Sequence, residues 1–147
     1  QERNMRAGTE NVASIVGMTK AALIAYEHLE HDRPQIQALK AYLVEKVKAN
    51  LPEIEFNGLV DNSSLYTVLS LSLPQHPMGS LLLFQLDMQG ICVSGGSACS
   101  SGASKGSHVI EALGKSSERI PLRVSFSKYN TKEDIDFLVS TLQKLYE

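Results

Sequence analysis

The sequence predicts an α+β layer fold in which helices pack against a small sheet. Three observations predict it: long stretches whose apolar residues recur every three or four positions, short stretches in which they alternate, and turn residues that punctuate both. At 147 residues the chain is about the size of one typical domain.

The elements follow in order. Val12, Ile15, Val16, Thr19, Leu23 and Tyr26 share one helical face, so a first helix is expected from about Asn11 to Leu29. "HDRPQ" then places an Asp before a Pro, a start signal. Ile36, Leu39, Leu43 and Val47 predict a second amphipathic helix that ends before Pro52. "EIEFNG" alternates and closes on Asn57-Gly58, which reads as a short strand and turn. In "YTVLSLSLP" Leu69, Leu71 and Leu73 alternate with Ser70 and Ser72, giving a strand with one apolar and one small polar face. "MGSLLLFQLDMQG" has helical length with Gly90 as its stop, and "ICV" reads as a brief strand. Ser107 can cap a short helix through Leu113, with Gly114 as the exit. "PLRVSFS" alternates Leu122, Val124 and Phe126 against Arg123 and Ser125. The last segment, "TKEDIDFLVSTLQKLYE", carries a capping-box pattern at Thr131 and Asp134 ahead of the stripe Ile135, Leu138, Val139, Leu142 and Leu145.

Composition excludes several classes. With 43% hydrophobic and 20% charged residues the chain can bury an ordinary core, and disorder is disfavoured. The most apolar segment, "SLLLFQLDMQGICV", contains Asp87 and is too short to span a bilayer, so no membrane association is expected. A net charge of −2 without a Lys/Arg cluster argues against a nucleic-acid surface. Two cysteines do not make a disulfide framework, and a cytoplasmic, reducing setting is expected. The opening "QERNMRAGTEN" has neither an initiator Met nor a leader, as though cut from a longer protein.

Three positions could carry chemistry. Cys99 sits in a tract from Ser94 to Ser107 in which ten of fourteen residues are Ser or Gly, a permissive backbone that gives the thiol no packing role. A free surface thiol and a catalytic nucleophile account for it equally well. Cys92, between Ile91 and Val93, reads instead as a small core residue. Arg123 must point away from Leu122 and Val124. There it meets solvent, forms an ion pair with a helix Glu, or offers its planar fork to a carboxylate in a cleft, and pattern alone favours the first two. In "RAGTEN", Gly8 permits a tight turn and Thr9 before a helix can contact an anion or phosphate, although a simple N-cap explains Thr9 as well. The histidines, His28, His31, His76 and His108, have no ligand spacing, the two cysteines no second pair, and no metal site is expected.

"QERNMRAGTENVASIVGMTKAA", "SGGSACSSG" and "LRVSFSKYNTKEDIDFLV", in that order and spacing, resemble the C-terminal part of the pyridoxal-phosphate-dependent cysteine desulfurases of the class V aminotransferase fold, in the group with a long serine-rich cysteine loop. The glycine in "SGGSAC" and the run "GASKGSHVI" depart from that group's commoner pattern. The resemblance implies a small, mostly antiparallel sheet with helices packed on it. It implies that residues 1–12 are the tail of a large cofactor-binding domain and residues 13–147 a small domain carrying the loop 94–107. It implies that Cys99 takes sulfur from L-cysteine, leaves L-alanine, and passes the persulfide sulfur to an acceptor or scaffold protein in iron-sulfur cluster assembly. Arg123 matches the residue that holds the substrate carboxylate. Thr9 matches one that reaches the cofactor phosphate of the neighbouring subunit, in a homodimer.

None of the lysines, Lys20, Lys40, Lys46, Lys48, Lys105, Lys115, Lys128, Lys132 or Lys144, sits in the Ser/His-rich context in which that family attaches pyridoxal phosphate. The cofactor is therefore expected to be held mainly by an upstream domain, and this chain alone to be inactive. Another class V aminotransferase or lyase, and a non-catalytic partner-binding module, are the competing readings.

Overall fold

The computed structural model describes residues 8–61, 63–95, 107–114 and 119–146. Its elements are α1 (Val12–Asn50), β1 (Glu55–Phe56), β2 (Val68–Leu73), a 3-10 turn (Gly79–Leu81) leading into α2 (Leu82–Met88), α3 (His108–Ala112), β3 (Ile120–Ser125) and α4 (Lys132–Tyr146). The three strands form one sheet in the order β1-β2-β3, with both pairings antiparallel. The α+β expectation is met.

One expectation is corrected at once. The two helices foreseen before Pro52 are a single 39-residue helix with Pro34 inside it. A proline removes one N–H and crowds the carbonyl four residues back, but it leaves the other hydrogen bonds of the helix to form. Asp32, expected to cap a new helix, lies 3.0 Å from His31 Nδ1 within the continuous one. The proline marks a different boundary: the chain divides into two compact units, 1–33 and 34–147. In the first, the apolar face of Val12, Ile15, Val16, Leu23 and Tyr26 is exposed.

In the second unit, Ile36, Leu39, Leu43 and Val47 of α1 and Ile135, Leu138, Val139 and Leu142 of α4 bury against Leu69, Leu71, Leu73, Leu122 and Val124 of the sheet. Register explains why these side chains meet. Leu69 faces Val124 and Leu71 faces Leu122, and antiparallel partners point to the same side. The opposite side then carries Val68 beside Ser125 and Ser70 beside Arg123.

The helix ends are built as the sequence indicates. Asp134 N–H donates to Thr131 Oγ1 (3.3 Å) and Thr131 N–H to Asp134 Oδ2 (3.0 Å), a reciprocal capping box. Gly90 takes φ +79°, while its N–H donates to the Asp87 carbonyl and that of Ile91 to Leu86, closing α2 in a Schellman motif. Ser107 stands at the N-cap of α3 without a side-chain capping bond, and the helix is only five residues long. "ICV" is not a strand: strand-like pairing is confined to one bridge, between Ser94 and Arg123, and Cys92 is exposed rather than part of the core. The turn after Gly90 brings only Ser94 alongside β3, so Cys92 has no ladder partner to hold it inward.

Candidate functional site: a cleft on the polar face of the sheet

β3 alternates as its sequence dictates, with Leu122 and Val124 buried and Arg123 and Ser125 exposed. Arg123 is thereby fixed on the face away from the core. It opens into a cleft of about 620 Å³, floored by Val68, Ser70 and Ser125 and walled by the loop carrying Leu59, Val60, Ser64 and Leu65.

Ser94 ties the glycine-serine tract to this arginine. The two residues exchange backbone hydrogen bonds of 3.1 and 2.6 Å, and Arg123 Nε donates to Ser94 Oγ at 3.0 Å. With Nε engaged, the terminal nitrogens of the guanidinium have no acceptor among the described residues, and Arg123 makes no ion pair there. The helix-Glu partner that pattern allowed is absent from the described residues. A guanidinium held by Nε presents the remaining nitrogens as a fork suited to a carboxylate.

Gly95, the next residue, sits where packing is tight. A Cβ there would lie 2.8 Å from Leu83 Cδ1 and 3.0 Å from the Pro121 carbonyl oxygen. The tract therefore starts from a fixed root between α2 and β3. Cys99 lies outside the described residues.

Thr9 is exposed and belongs to the first unit. Asn11 takes the N-cap role that could have explained it, since Asn11 Oδ1 accepts from Ser14 N–H at 3.2 Å.

Sequence reasoning passed over Lys40. It is 5% exposed, and its ammonium donates to Ser64 Oγ (2.7 Å) and to the Leu65 carbonyl (2.8 Å) at the cleft wall. Burial pushes it below the ordinary lysine pKa, and the Asp61 carboxylate partly offsets this. The signal was available: Lys40 falls on the apolar stripe with Ile36, Leu43 and Val47, where a charge is out of place. Asn57 also lines the cleft. Its Nδ2 donates to Ser70 Oγ and the Leu71 carbonyl, while its Oδ1 is buried without a donor among the described residues.

A family model described as "Aminotransferase class-V" matches residues 1–138, and the chain belongs to that family. Among curated relatives it is 36% identical over 153 residues to "Cysteine desulfurase IscS" of Clostridium botulinum (strain Hall), covering 99% of this chain and 37% of that protein. It is 34% identical over 149 residues to the protein of the same name from Dictyoglomus turgidum, covering 100% and 37%. Among solved structures it superimposes on a NifS-like protein from Rickettsia africae with a TM-score of 0.80 at 27% identity, covering 99% of this chain and 38% of that one. The chain thus spans a little over a third of the length of these relatives. The resemblance read from the three motifs is met across the whole chain.

Enzymes of this family work with pyridoxal phosphate, and the lining of this cleft does not by itself form a site for it. The cleft lining contains no aromatic ring to stack on the pyridine and no carboxylate to pair with its nitrogen. Its one lysine, Lys40, commits its ammonium to Ser64 and Leu65. No group of three or more metal-ligating side chains occurs among the described residues, and no described helix is long and apolar enough to cross a membrane.

Proposed function

We propose that this chain is the C-terminal part of a cysteine desulfurase, with Arg123 as the carboxylate fork for L-cysteine and Cys99 as the nucleophile. The observation that carries the reading is the Ser94–Arg123 bridge, which roots the cysteine tract beside a guanidinium whose terminal nitrogens have no acceptor among the described residues. The Cys99 thiolate attacks the substrate sulfur. An S–S bond forms as the Cβ–S bond breaks, and the electron pair stays with the carbon, which takes a proton and becomes the methyl group of L-alanine. The persulfide on Cys99 then passes its outer sulfur to the thiol of an acceptor or scaffold protein, a step that serves iron-sulfur cluster assembly.

Pyridoxal phosphate is bound mainly by the part of the longer protein upstream of this chain. Residues 1–12 are the end of that domain, residues 13–147 form the small domain, and Thr9 reaches the cofactor phosphate across a homodimer. A cytoplasmic location suits a reactive thiol.

Cys99→Ser in the longer protein tests the assignment, because a hydroxyl is far less nucleophilic than a thiolate at neutral pH. Intact-mass measurement after cysteine addition is expected to show no persulfide, with the cofactor absorbance unchanged. Unaltered persulfide and alanine yields in that variant overturn it.

A further inference from the structure

We propose that Lys40 is a positioning residue for substrate binding: through Ser64 and Leu65 it holds the loop that walls the Arg123 cleft. The proposal rests on the reading of that cleft as the carboxylate site of a cysteine desulfurase.

A lysine on the buried stripe of a helix loses hydration that a Met or Leu would not, so packing alone does not account for it. What the ammonium does instead is visible. It donates to Ser64 Oγ and to the Leu65 carbonyl, 24 and 25 residues along the chain. Ser64 in turn donates its hydroxyl to the Asp61 carbonyl at 2.7 Å, and its N–H donates to the same oxygen at 3.1 Å. Ser63 N–H closes the turn onto Asp61 Oδ1 at 2.9 Å. The Lys40 ammonium is thus bonded to both ends of the 64–65 step, and through Ser64 to the turn that precedes it.

Apolar burial does little to seat this loop. Leu59 is 70% exposed and Leu65 65% exposed, and Val60 and Tyr66 pack only partly against the core. Between the loop and α1 lies a crevice of about 30 Å³, partly open to solvent and lined by Lys40, Ala41, Val60 and Asp61 among others. Room on that scale holds about one water and forfeits close packing. Where packing is loose, two hydrogen bonds from a charged donor decide where the wall stands. The same loop supplies Leu59, Val60, Ser64 and Leu65 to the cleft that Arg123 enters. A wall that drifts weakens binding of the bound substrate and of its transition state alike, which raises KM and leaves kcat in place.

The test uses the full-length protein loaded with cofactor, with L-cysteine as substrate, in three variants. Lys40→Met is expected to raise KM roughly tenfold with kcat within about twofold. Lys40→Arg, which keeps a charged donor, is expected to restore most of the loss. Ser64→Ala keeps the Lys40 charge and removes one anchor, and is expected to raise KM by about threefold. A lower unfolding temperature with KM unmoved in Lys40→Met makes the residue merely structural and overturns the proposal. A KM raised in Lys40→Met but unmoved in Ser64→Ala assigns the effect to charge rather than to the loop, and also overturns it. If Lys40→Met does not fold, Ser64→Ala decides by the same measure. A parent protein that makes no alanine from L-cysteine overturns the functional reading and this proposal together. A parent that makes it, with KM unmoved in every variant, overturns this proposal alone.

Discussion

The two faces of the sheet are made from the same two strands and do opposite work. On one, Leu69, Leu71 and Leu73 of β2 meet Leu122 and Val124 of β3 and vanish beneath α1 and α4. On the other, Val68, Ser70, Arg123 and Ser125 line an open cleft. Neighbouring residues of β3 therefore differ in what they cost when lost: Leu122 is fully buried, whereas Arg123 beside it is exposed. Strand alternation thus sets core packing and cleft lining one residue apart. A mutation can address one face without touching the other.

The largest effect belongs to the buried face. Leu122→Ala removes a fully buried side chain from close packing and is expected to cost about 2–5 kcal/mol of stability, read from urea unfolding of this chain. In the longer protein the folded fraction should keep its KM for cysteine. A changed KM in fully folded variant protein means the two faces are coupled.

Next comes Arg123→Ala, the mirror test. The loss of a charge-assisted fork is expected to weaken cysteine binding by about 1.5–3 kcal/mol, roughly 10- to 150-fold in KM, with the unfolding midpoint unchanged. Arg123→Lys keeps charge without the fork and should fall between the two. If Arg123→Ala unfolds the domain while folded protein binds cysteine normally, the exposed face is structural and the comparison breaks.

The smallest effect lies on the helix layer that covers the buried face. Asp136 of α4 lies 3.0 Å from Lys46 Nζ of α1 and accepts a hydrogen bond from Tyr42, and these partners hold its carboxyl below the ordinary aspartate pKa. A carboxylate with a depressed folded pKa adds stability that is complete above its unfolded value and disappears as the pH falls through the folded one. Unfolding midpoints should therefore decline on acidification through that window, and less steeply in Asp136→Asn. An identical slope in both proteins removes Asp136 from the account. Since the pair is exposed, added salt should shrink the difference.

Much of this was legible in the chain. Thr131 and Asp134 announced their capping box, Gly90 its helix stop, and the Leu/Ser and Leu/Arg alternations the strands and the side on which Arg123 stands. Each of these is a local feature, decided by residues within one or two turns of one another. What misled was also local: "HDRPQ" carries every mark of a helix boundary, yet the helix runs on through it. "ICV" has strand composition but finds no strand beside it.

Periodicity, hence which residues share a face, can be read from the chain alone, as can a motif order specific enough to place it in its family. What covers each face depends on the folded chain. The apolar stripe of α1 has the same period on both sides of Pro34, yet Val12, Ile15 and Val16 are exposed while Ile36, Leu39 and Leu43 are buried. Only the tertiary structure brought Ser94 to Arg123, 29 residues away, and Lys40 to Ser64 and Leu65. The physical reason is that backbone propensity and amphipathic spacing act over a few residues, whereas burial and long-range hydrogen bonds depend on which distant surface arrives. A lysine on an apolar stripe looks like a misfit until the loop it holds is folded against it.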